Sequence, residues 1–435
     1  MRSKMVFRSI DVLPRLIGRR TFATNPMQSI ERRVPALVGD SLCQIETPCL
    51  VVDLCALERN VQALPQSLQQ IRSNVHIRPH AKAHKCASIA RLQMRESQTV
   101  GLCCQKICEA EAMVKGGIQD VLLSNEIIGI SQYERVAALA AQGAKLTLVF
   151  DNILAIQQAQ EVALNFQVVL YALVEVNVGQ DRCGVDTFGI ECTQKTSRML
   201  TIYLEQVLAL AQCIEGASNL TFDGLQCYHG GAQHIRNYTE KRQIIDKVVE
   251  KARNARDFLA EKGIECKTIT GGGTGTYLLE ASSGVFTEVQ PGSYIFNDAD
   301  YARNLNADGE SVSEWKQSLF VLTTVMSINT KQHSERAIID AGMKAVSLDS
   351  GPPVIHKAID CNPISLLEYR AGGDEHGILC LSDSQNSAEL PTLGQKLMLI
   401  PGHCDPTVNM YDFLVGFRDE KVEKVWTIDA RGPGN

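Results

Sequence analysis

Short apolar runs alternate with longer amphipathic segments from residue 75 to about residue 290. In chain order, the runs are VHIRP (75), VGLCC (100), VLLS (121), LTLVF (146), VLYALVEVNV (169), LTFDGLQCY (220), CKTIT (266) and VFTEV (285). The segments between them, such as KICEAEAMVKGG, carry apolar residues at helical spacing and end in glycine. The pattern predicts eight strand–helix units, the number that an α/β protein with a (β/α)8 TIM barrel requires. A doubly wound open sheet is the alternative.

The pattern changes after residue 305. Short apolar segments such as SLFVLTTVMSI, GILCL and KVWTI are separated by Gly, Pro, Asn and Asp, which predicts a β-rich second domain. We therefore expect a barrel over residues 50–304 and a β-domain made of residues 27–49 plus 305–435. The segment IETPCLVVDL (45–54) could add an N-terminal strand to that β-domain.

Residues 1–26 differ in composition from the rest of the chain. They carry a single acid, Asp11, against the basic residues Arg2, Lys4, Arg8, Arg15, Arg19 and Arg20, with apolar residues between them. This composition is typical of a mitochondrial transit peptide, and the alternative is a disordered basic tail on a cytoplasmic protein.

The overall composition excludes several classes of protein. A net charge of −6 argues against a nucleic-acid-binding surface. No apolar run approaches the roughly 20 residues that span a bilayer, so no membrane partner is expected. The 15 cysteines are odd in number and fall largely within apolar runs, which indicates reduced thiols and an intracellular compartment.

Polar or glycine-rich residues follow every predicted barrel strand. HAKAHK follows the first strand, Gln105 the second, GQDRCGV the fifth and HGGAQH the sixth. Because the chemistry of a (β/α)8 enzyme lies at the carboxyl ends of its strands, these residues are the candidate site.

The stretch TITGGGTG (268–275) after the seventh strand could form an anion-binding nest, because glycines expose backbone N–H groups and permit positive φ angles. PGSY (291–294) after the eighth strand offers further amides, and the alternative is a pair of tight loops. A phosphate site opposite a lysine suggests pyridoxal 5'-phosphate (PLP), with Arg182 as a partner of the ring nitrogen. These loops contribute Thr270 and Tyr294 to the predicted cofactor site, and the second strand end contributes Gln105.

The stretch IPGHCDPTVNMYD (400–412) is a second dense group of polar residues. His403, Cys404 and Asp405 are all of types that bind divalent metals. In an extended loop His403 and Asp405 would face the same way, and Cys404 would point away. The sequence thus predicts a two-ligand metal site, and a simple turn is the alternative.

Long ordered segments of the chain resemble one known family. They include RPHAKAHKC, GLCCQKICEA, LVEVNVGQDRCGV, LQCYHGGAQH, TITGGGTGT, TEVQPGSYIFNDADY and PGHCDPTVNMYD. From about residue 45 to 432 the sequence resembles the D-threonine aldolase and D-serine dehydratase-like family of fold-type III PLP enzymes. That family is related in architecture to alanine racemase.

The resemblance implies roles for individual residues. Lys82, and not Lys85, would bind PLP covalently, and Arg182 would lie near the ring nitrogen with Tyr228 beside the cofactor. His403 and Asp405 match the metal ligands, and His234 matches a histidine that could assist proton transfer. Phosphate contacts would come from Gly272, Gly273, Thr274, Gly292 and Ser293.

The resemblance also implies an activity. Aldolases of the family resemble His-x-Asp at the metal site and dehydratases resemble His-x-Cys, so Asp405 favours cleavage of D-threonine and related D-β-hydroxy-α-amino acids to glycine and an aldehyde. A D-serine or D-threo-3-hydroxyaspartate dehydratase is the second hypothesis, and a non-catalytic PLP carrier is the third. The metal would be Mn²⁺, Mg²⁺ or Zn²⁺, and the resemblance suggests a homodimer.

Overall fold

A computed structural model describes residues 33–186, 197–330, 335–359, 367–381 and 390–434. The predicted transit peptide, residues 1–26, lies outside the described residues. Within them, no helix combines the length and the apolar character that crossing a membrane requires.

The first strand of the described chain does not join the barrel. β1 (Cys49–Asp53) leads into α1 (Leu54–Gln70), and the Asp53 carboxylate caps this helix by accepting a 3.0 Å hydrogen bond from the Ala56 N–H. α1 buries one face, because its apolar residues recur at helical spacing: Leu57, Val61, Leu64 and Leu68.

Eight strands form one parallel sheet, and each overlaps one of the predicted apolar runs. A ninth short strand, β7, pairs beside β6. In chain order they are β2 (His76–Ile77), β3 (Leu102–Cys104), β4 (Asp120–Leu123), β5 (Lys145–Phe150), β6 (Leu170–Asn177), β7 (Val185–Asp186), β8 (Leu220–Gln226), β9 (Thr268–Gly271) and β10 (Glu288–Val289).

The spatial order of the sheet is β2-β10-β9-β8-β6-β5-β4-β3. Hydrogen bonds from Val100 N to Ile77 O (3.0 Å) and from Cys103 N to Pro79 O (2.8 Å) join its two ends. The polypeptide therefore curls into a closed parallel barrel, which confirms the predicted fold class.

Helices follow the barrel strands and cover the sheet. They are α2 (Ala87–Gln93), α3 (Ile107–Lys115), α4 (Ile130–Ala141), α5 (Ile153–Phe166), α6 (Ser197–Glu215), α7 (Tyr238–Glu261) and α8 (Tyr277–Ala281). Their inward residues pack against the strands in one continuous apolar core that includes Tyr133, Phe150 and Leu225. Apolar burial of this kind is the main favourable term in folding.

A second sheet contains the remaining strands together with β1. They are β11 (Leu319–Asn329), β12 (Arg336–Ile339), β13 (Val354–Ala358), β14 (Leu367–Ala371), β15 (Gly377–Leu381), β16 (Lys396–Ile400), β17 (Phe413–Arg418) and β18 (Lys421–Thr427), with α9 (Cys404–Val408) between β16 and β17. β1 lies between β11, to which it is antiparallel, and β17, to which it is parallel. The predicted β-rich part is thus present, and the predicted domain boundaries remain a prediction.

The segment RPHAKAHKC joins the two sheets. The Arg78 guanidinium is buried and pairs with Asp120 Oδ1 (2.6 Å) and Glu288 Oε1 (2.9 Å). The Lys85 ammonium donates to Asn409 Oδ1 (2.6 Å) beyond α9 and lies 3.3 Å from Glu109 Oε1. Since both of these cations are held by buried partners, the loop between them has a fixed position.

Candidate active site

A cavity of about 280 Å³ lies where the carboxyl ends of the barrel strands meet α9. Most of the residues that the sequence predicted as a site line it: Lys82, Gln105, Arg182, Tyr228, His234, Gly273, Thr274, Gly292, Ser293, His403 and Asp405. Thr270, Gly272 and Tyr294 do not line it. Thr270 donates to Glu288 (2.8 Å), and the Tyr294 hydroxyl accepts a hydrogen bond from Gln93 (3.1 Å).

Lys82 and Asp405 form an ion pair inside this cavity. Lys82 sits in a 3-10 turn (Ala81–Ala83) just after β2, and its Nζ lies 3.3 Å from Asp405 Oδ2. Burial disfavours the ammonium, but the charges of Asp405 and Tyr228 outweigh it and raise the pKa of Lys82. Burial likewise opposes ionisation of Asp405, yet Lys82 and His403 lower its pKa to about 2.

His80 supports the turn that carries Lys82. Its Nδ1 accepts a hydrogen bond from the Lys82 backbone N–H (3.3 Å), and its Nε2 lies 3.3 Å from Ser124 Oγ and 3.0 Å from Gln105 Nε2. Burial and the neighbouring Lys82 hold the pKa of His80 well below its usual value. The ring is therefore neutral, and Nδ1 as an acceptor places its proton on Nε2.

Close-packed glycines form a cradle on one wall of the cavity. A Cβ on Gly273 would lie 2.6 Å from Gln233 Oε1, and one on Gly292 would lie 3.1 Å from the Cβ of His80. Gly272 has a φ of +70°, and Thr274 Oγ1 accepts a hydrogen bond from Tyr294 N (3.2 Å). Exposed backbone at these positions fits a phosphate group, as the nest prediction required.

Arg182 lines the same cavity. Its guanidinium carbon lies 5.9 Å from the centre of the Tyr228 ring. Behind it, at the end of β6, the Glu175 carboxyl is buried next to Glu126, and neither carboxyl oxygen of Glu126 has a hydrogen-bond partner within the described chain. Burial, and then Glu126, raise the pKa of Glu175 well above its usual value, so that this pair carries less than its full negative charge.

The lysine, the glycine cradle and the arginine together fit PLP. Lys82 offers an amine, Gly273, Gly292 and Ser293 offer an anion cradle, and Arg182 offers a permanent cation. The Cβ distances at Gly273 and Gly292 are the observation behind this fit, since Gln233 and His80 leave no room for a side chain there and the backbone itself forms the wall of the cavity.

The structure corrects the geometry predicted for the metal site. His403 is the N-cap of α9 and Asp405 lies in the first turn of this helix, so the segment is not an extended loop. Both residues nevertheless line the cavity, and Cys404 is fully buried with its N–H bonded to Asp298 Oδ2 (2.9 Å). Helix geometry, and not strand alternation, separates Cys404 from the cavity.

His403 and Asp405 supply a donor set for a divalent ion. His403 Nδ1 lies 2.7 Å from Asp349 Oδ2, an arrangement that orients a metal-binding imidazole and leaves Nε2 for the ion. The described residues contain no group of three or more His, Cys, Asp and Glu side chains that could hold a metal. The donors present therefore fit a metal only as a two-ligand site that is open to substrate and water.

His234 forms a charge-assisted pair beside the two metal donors. Its Nδ1 lies 2.6 Å from Asp300 Oδ2, and its ring centre lies 6.5 Å from that of His403. Asp300 is also bound by Arg236 and by Arg303 (2.7 Å). Although burial opposes it, these partners lower the pKa of Asp300, so the carboxylate orients the His234 ring.

Sequence reasoning missed the residues that orient His234, His403 and the glycine loop. Asp300 and Gln233 lie in the quoted segments TEVQPGSYIFNDADY and LQCYHGGAQH, and Asp349 lies in SLDSGPP (347–353), but no role was predicted for them. The sequence signal that could have found them is a carboxylate or amide side chain within a segment that carries the family resemblance. Which of them would reach a histidine depends on tertiary structure.

Family models match two parts of the chain. Residues 52–197 match "Alanine racemase, N-terminal domain", and residues 318–417 match "Putative serine dehydratase domain". The two matches correspond to the first half of the barrel and to much of the second sheet.

Individual relatives match nearly the whole chain. It is 40% identical to a D-threonine aldolase from Arthrobacter sp. and 38% identical to a 3-hydroxy-D-aspartate aldolase from Paracoccus denitrificans (strain Pd 1222). Each match covers 92% of this chain and 96% of the relative. Among solved structures, D-threonine aldolase from Filomicrobium marinum superposes with a TM-score of 0.80 at 38% identity, over 92% of this chain and 99% of that one.

Gly273→Ala should weaken PLP binding about tenfold or more, because the added Cβ would clash with the Gln233 side chain, which has no room to move. Gln233 is 1% exposed and is held by hydrogen bonds to Gly275 N, Thr276 Oγ1 and His229 O. Absorbance titration of the cofactor-free protein with PLP measures the affinity. Gly216→Ala, at an exposed helix end, is the matched control, and equal affinities for all three proteins would contradict the cradle.

Proposed function

The chain belongs to the family of D-threonine and 3-hydroxy-D-aspartate aldolases, which are carbon–carbon lyases with an alanine racemase-like fold. From this premise we propose that it cleaves D-threonine and related D-β-hydroxy-α-amino acids to glycine and an aldehyde, using PLP and a divalent metal ion. The single observation that carries the proposal is the convergence of Lys82, Arg182, His234, His403 and Asp405 on one cavity.

Lys82 is the residue that would hold PLP covalently. PLP, when bound, supplies an electron sink for the pair of electrons released when the Cα–Cβ bond breaks. The Lys82 turn is fixed by His80 on one side and by the Lys85 contacts on the other. Its amine is thus presented at the mouth of β2 in one orientation, as a covalent catalyst needs.

Arg182 would determine the protonation state of the cofactor's ring nitrogen. A guanidinium stays protonated and can only donate hydrogen bonds, so it would leave an opposing ring nitrogen without a proton. Lys82, by contrast, faces Asp405, and the two cations therefore have different partners. The Gly273, Gly292 and Ser293 backbone lines the same cavity and would bind the phosphate.

His403 and Asp405 would hold the divalent ion. An imidazole and a carboxylate suit Mn²⁺ or Mg²⁺ as well as Zn²⁺, and a cation at this point would lower the pKa of a bound hydroxyl. Asp349 keeps the His403 ring in place through the 2.7 Å contact at Nδ1.

His234 is the side chain that would remove the proton from the β-hydroxyl. The Asp300 carboxylate fixes the proton on Nδ1, which leaves Nε2 as an acceptor. The negative charge of Asp300 would also stabilise the imidazolium after proton transfer. Loss of that proton is the step that C–C cleavage requires.

Asp405 favours the aldolase over the dehydratase alternative. Dehydration requires removal of the α-proton and departure of the hydroxyl, and the family resemblance associates that reaction with a cysteine at this position. Among the described residues no cysteine lines the cavity, and Cys404, which precedes Asp405, is fully buried.

Product analysis tests the function directly. D-Threonine should give glycine and acetaldehyde in equal amounts, and EDTA should abolish the reaction because the two-ligand site would lose its ion. Added Mn²⁺ should restore it. A 2-oxo acid plus ammonia, from D-threonine or from D-serine, would instead establish the dehydratase, and no turnover of either would favour a PLP carrier.

Lys82→Ala should lose the absorbance of lysine-bound PLP at ~420 nm together with activity, because no other amine in the described cavity could replace it. The exposed Lys106→Ala, on the neighbouring strand-end loop, should keep both. An unchanged spectrum in Lys82→Ala would assign the cofactor to another lysine.

His234→Gln should lower kcat by about 10²- to 10⁴-fold, which is the usual contribution of a positioned acid–base group. The absorbance of bound PLP should not change, because His234 has no part in holding the cofactor. Steady-state kinetics with D-threonine measure the loss, and the exposed His376→Gln is the control. A full-rate His234→Gln enzyme would exclude this histidine as the base.

A further inference from the structure

A second cavity of about 360 Å³ lies on the other side of the phosphate loop. It shares Thr274 and Tyr301 with the active-site cavity, and its walls also come from the start of α7, from α8 and from residues 304–315. The function proposed above uses no side chain that belongs to this second cavity alone.

The walls of the second cavity are largely aromatic and aliphatic. Tyr238, Tyr277 and Trp315 contribute rings, and Leu278, Leu305 and Val312 contribute aliphatic surface. Trp315 is 6% exposed and packs against Tyr277 and Tyr294, with ring centres 5.9 and 5.4 Å apart. Such walls favour a ligand with an apolar body.

Lys241 is a buried cation that reaches this cavity without a partner. It lies on the first turns of α7, is 3% exposed and lines the cavity. Across the residues that the structure describes, its Nζ makes no hydrogen bond and no ion pair. Burial, and then the nearby Arg236, lower the pKa of Lys241 to about 8. A buried ammonium without a counterion is costly, and an anion in the cavity would relieve that cost.

The neighbouring charged groups do not fully neutralise Lys241. The Arg236 guanidinium is bound to Asp300 and Asn304. Glu280 is the opposing charge near Lys241 and its Oε2 has no hydrogen-bond partner among the described residues, but it forms no ion pair with Lys241, and burial raises the pKa of Glu280 to about 7. Glu314, the other charged residue of the lining, accepts from the Tyr277 hydroxyl (2.5 Å).

We propose that this cavity is a second binding site, for a small monocarboxylate with an aromatic or branched apolar body whose carboxylate pairs with Lys241 Nζ. One ammonium matches one negative charge. A dianionic phosphate would require more donors than this wall offers and would be repelled by Glu314. Because the site shares Thr274 with the active site, its ligand would contact the rear of the phosphate loop.

Trp315 supplies a direct measurement. The protein has 2 tryptophans, so a Trp426→Phe background leaves Trp315 as the sole reporter. The full-length protein, saturated with PLP so that its phosphate cradle is filled, is titrated with phenylacetate, with the uncharged 2-phenylethanol, and with inorganic phosphate. Saturable change of Trp315 fluorescence gives each Kd.

Phenylacetate should bind, and 2-phenylethanol and phosphate should each bind at least about tenfold more weakly, as expected for a charge-assisted contact. Lys241→Met should weaken phenylacetate by about the same factor. Lys241→Arg should stay within a few-fold of the parent, and the exposed Lys247→Met on the same helix should have no effect.

The proposal is overturned if phenylacetate causes no saturable change up to its solubility limit, if Lys241→Met binds it as well as the parent, or if phosphate binds more tightly. Circular dichroism melting checks that each variant is folded. Should Lys241→Met fail to fold, Lys241→Gln keeps a polar side chain there and removes only the charge, and the same loss of affinity is expected.

Discussion

The ion pair between Lys82 and Asp405 is the interaction on which the site depends. One partner follows the first barrel strand and the other begins the short helix of the second sheet, so the pair fixes two parts of the chain against each other. Because the Asp405 side chain is only 12% exposed, its charge depends on the neighbouring ammonium of Lys82. If the Lys82 amine lost its positive charge, Asp405 would remain charged and buried beside His403. A divalent cation bound by Asp405 and His403 would then replace the lost positive charge. The proposed covalent role of Lys82 and the proposed metal site would thus be coupled through a single contact.

Each histidine of the cavity has its Nδ1 engaged by a neighbour. His80 Nδ1 accepts from the Lys82 N–H, while His234 and His403 each direct Nδ1 to an aspartate. On His234 and His403, Nε2 is consequently the nitrogen that is left for chemistry. On His80, Nε2 carries the proton and donates a hydrogen bond to Ser124 Oγ. His80 thereby supports Lys82, while His234 could hold a proton and His403 could offer a metal donor. The group bound at Nδ1 decides which of these roles each histidine can have.

The sequence predicted the fold because the barrel strands coincide with continuous apolar runs, and each observed strand from β2 to β10, apart from β7, lies within one of them or extends beyond it by one residue. The rule that chemistry follows strand ends then identified Gln105, Arg182 and His234. The pairs of His234 with Asp300 and His403 with Asp349 span 66 and 54 residues, so no local pattern encodes them. Thr270, at the end of β9, and Tyr294, just after β10, lie next to the cavity-lining residues but do not line the cavity themselves, because a motif does not specify which side chains point inward. The helical turn at Cys404–Val408 was also missed, since a proline such as Pro406 is compatible with a first helical turn as well as with a loop.

The position of β1 has a consequence for the order in which the chain folds. β1 pairs with residues 319–322 and 414–417, so its neighbours are synthesised long after it. The barrel strands, whose neighbours are mostly close in sequence, can pair while the ribosome is still translating. β1 must wait, with unpaired edges, until almost the whole polypeptide has emerged. A nascent chain therefore exposes one apolar strand for most of its synthesis, and this strand is the segment that a chaperone would have most reason to cover.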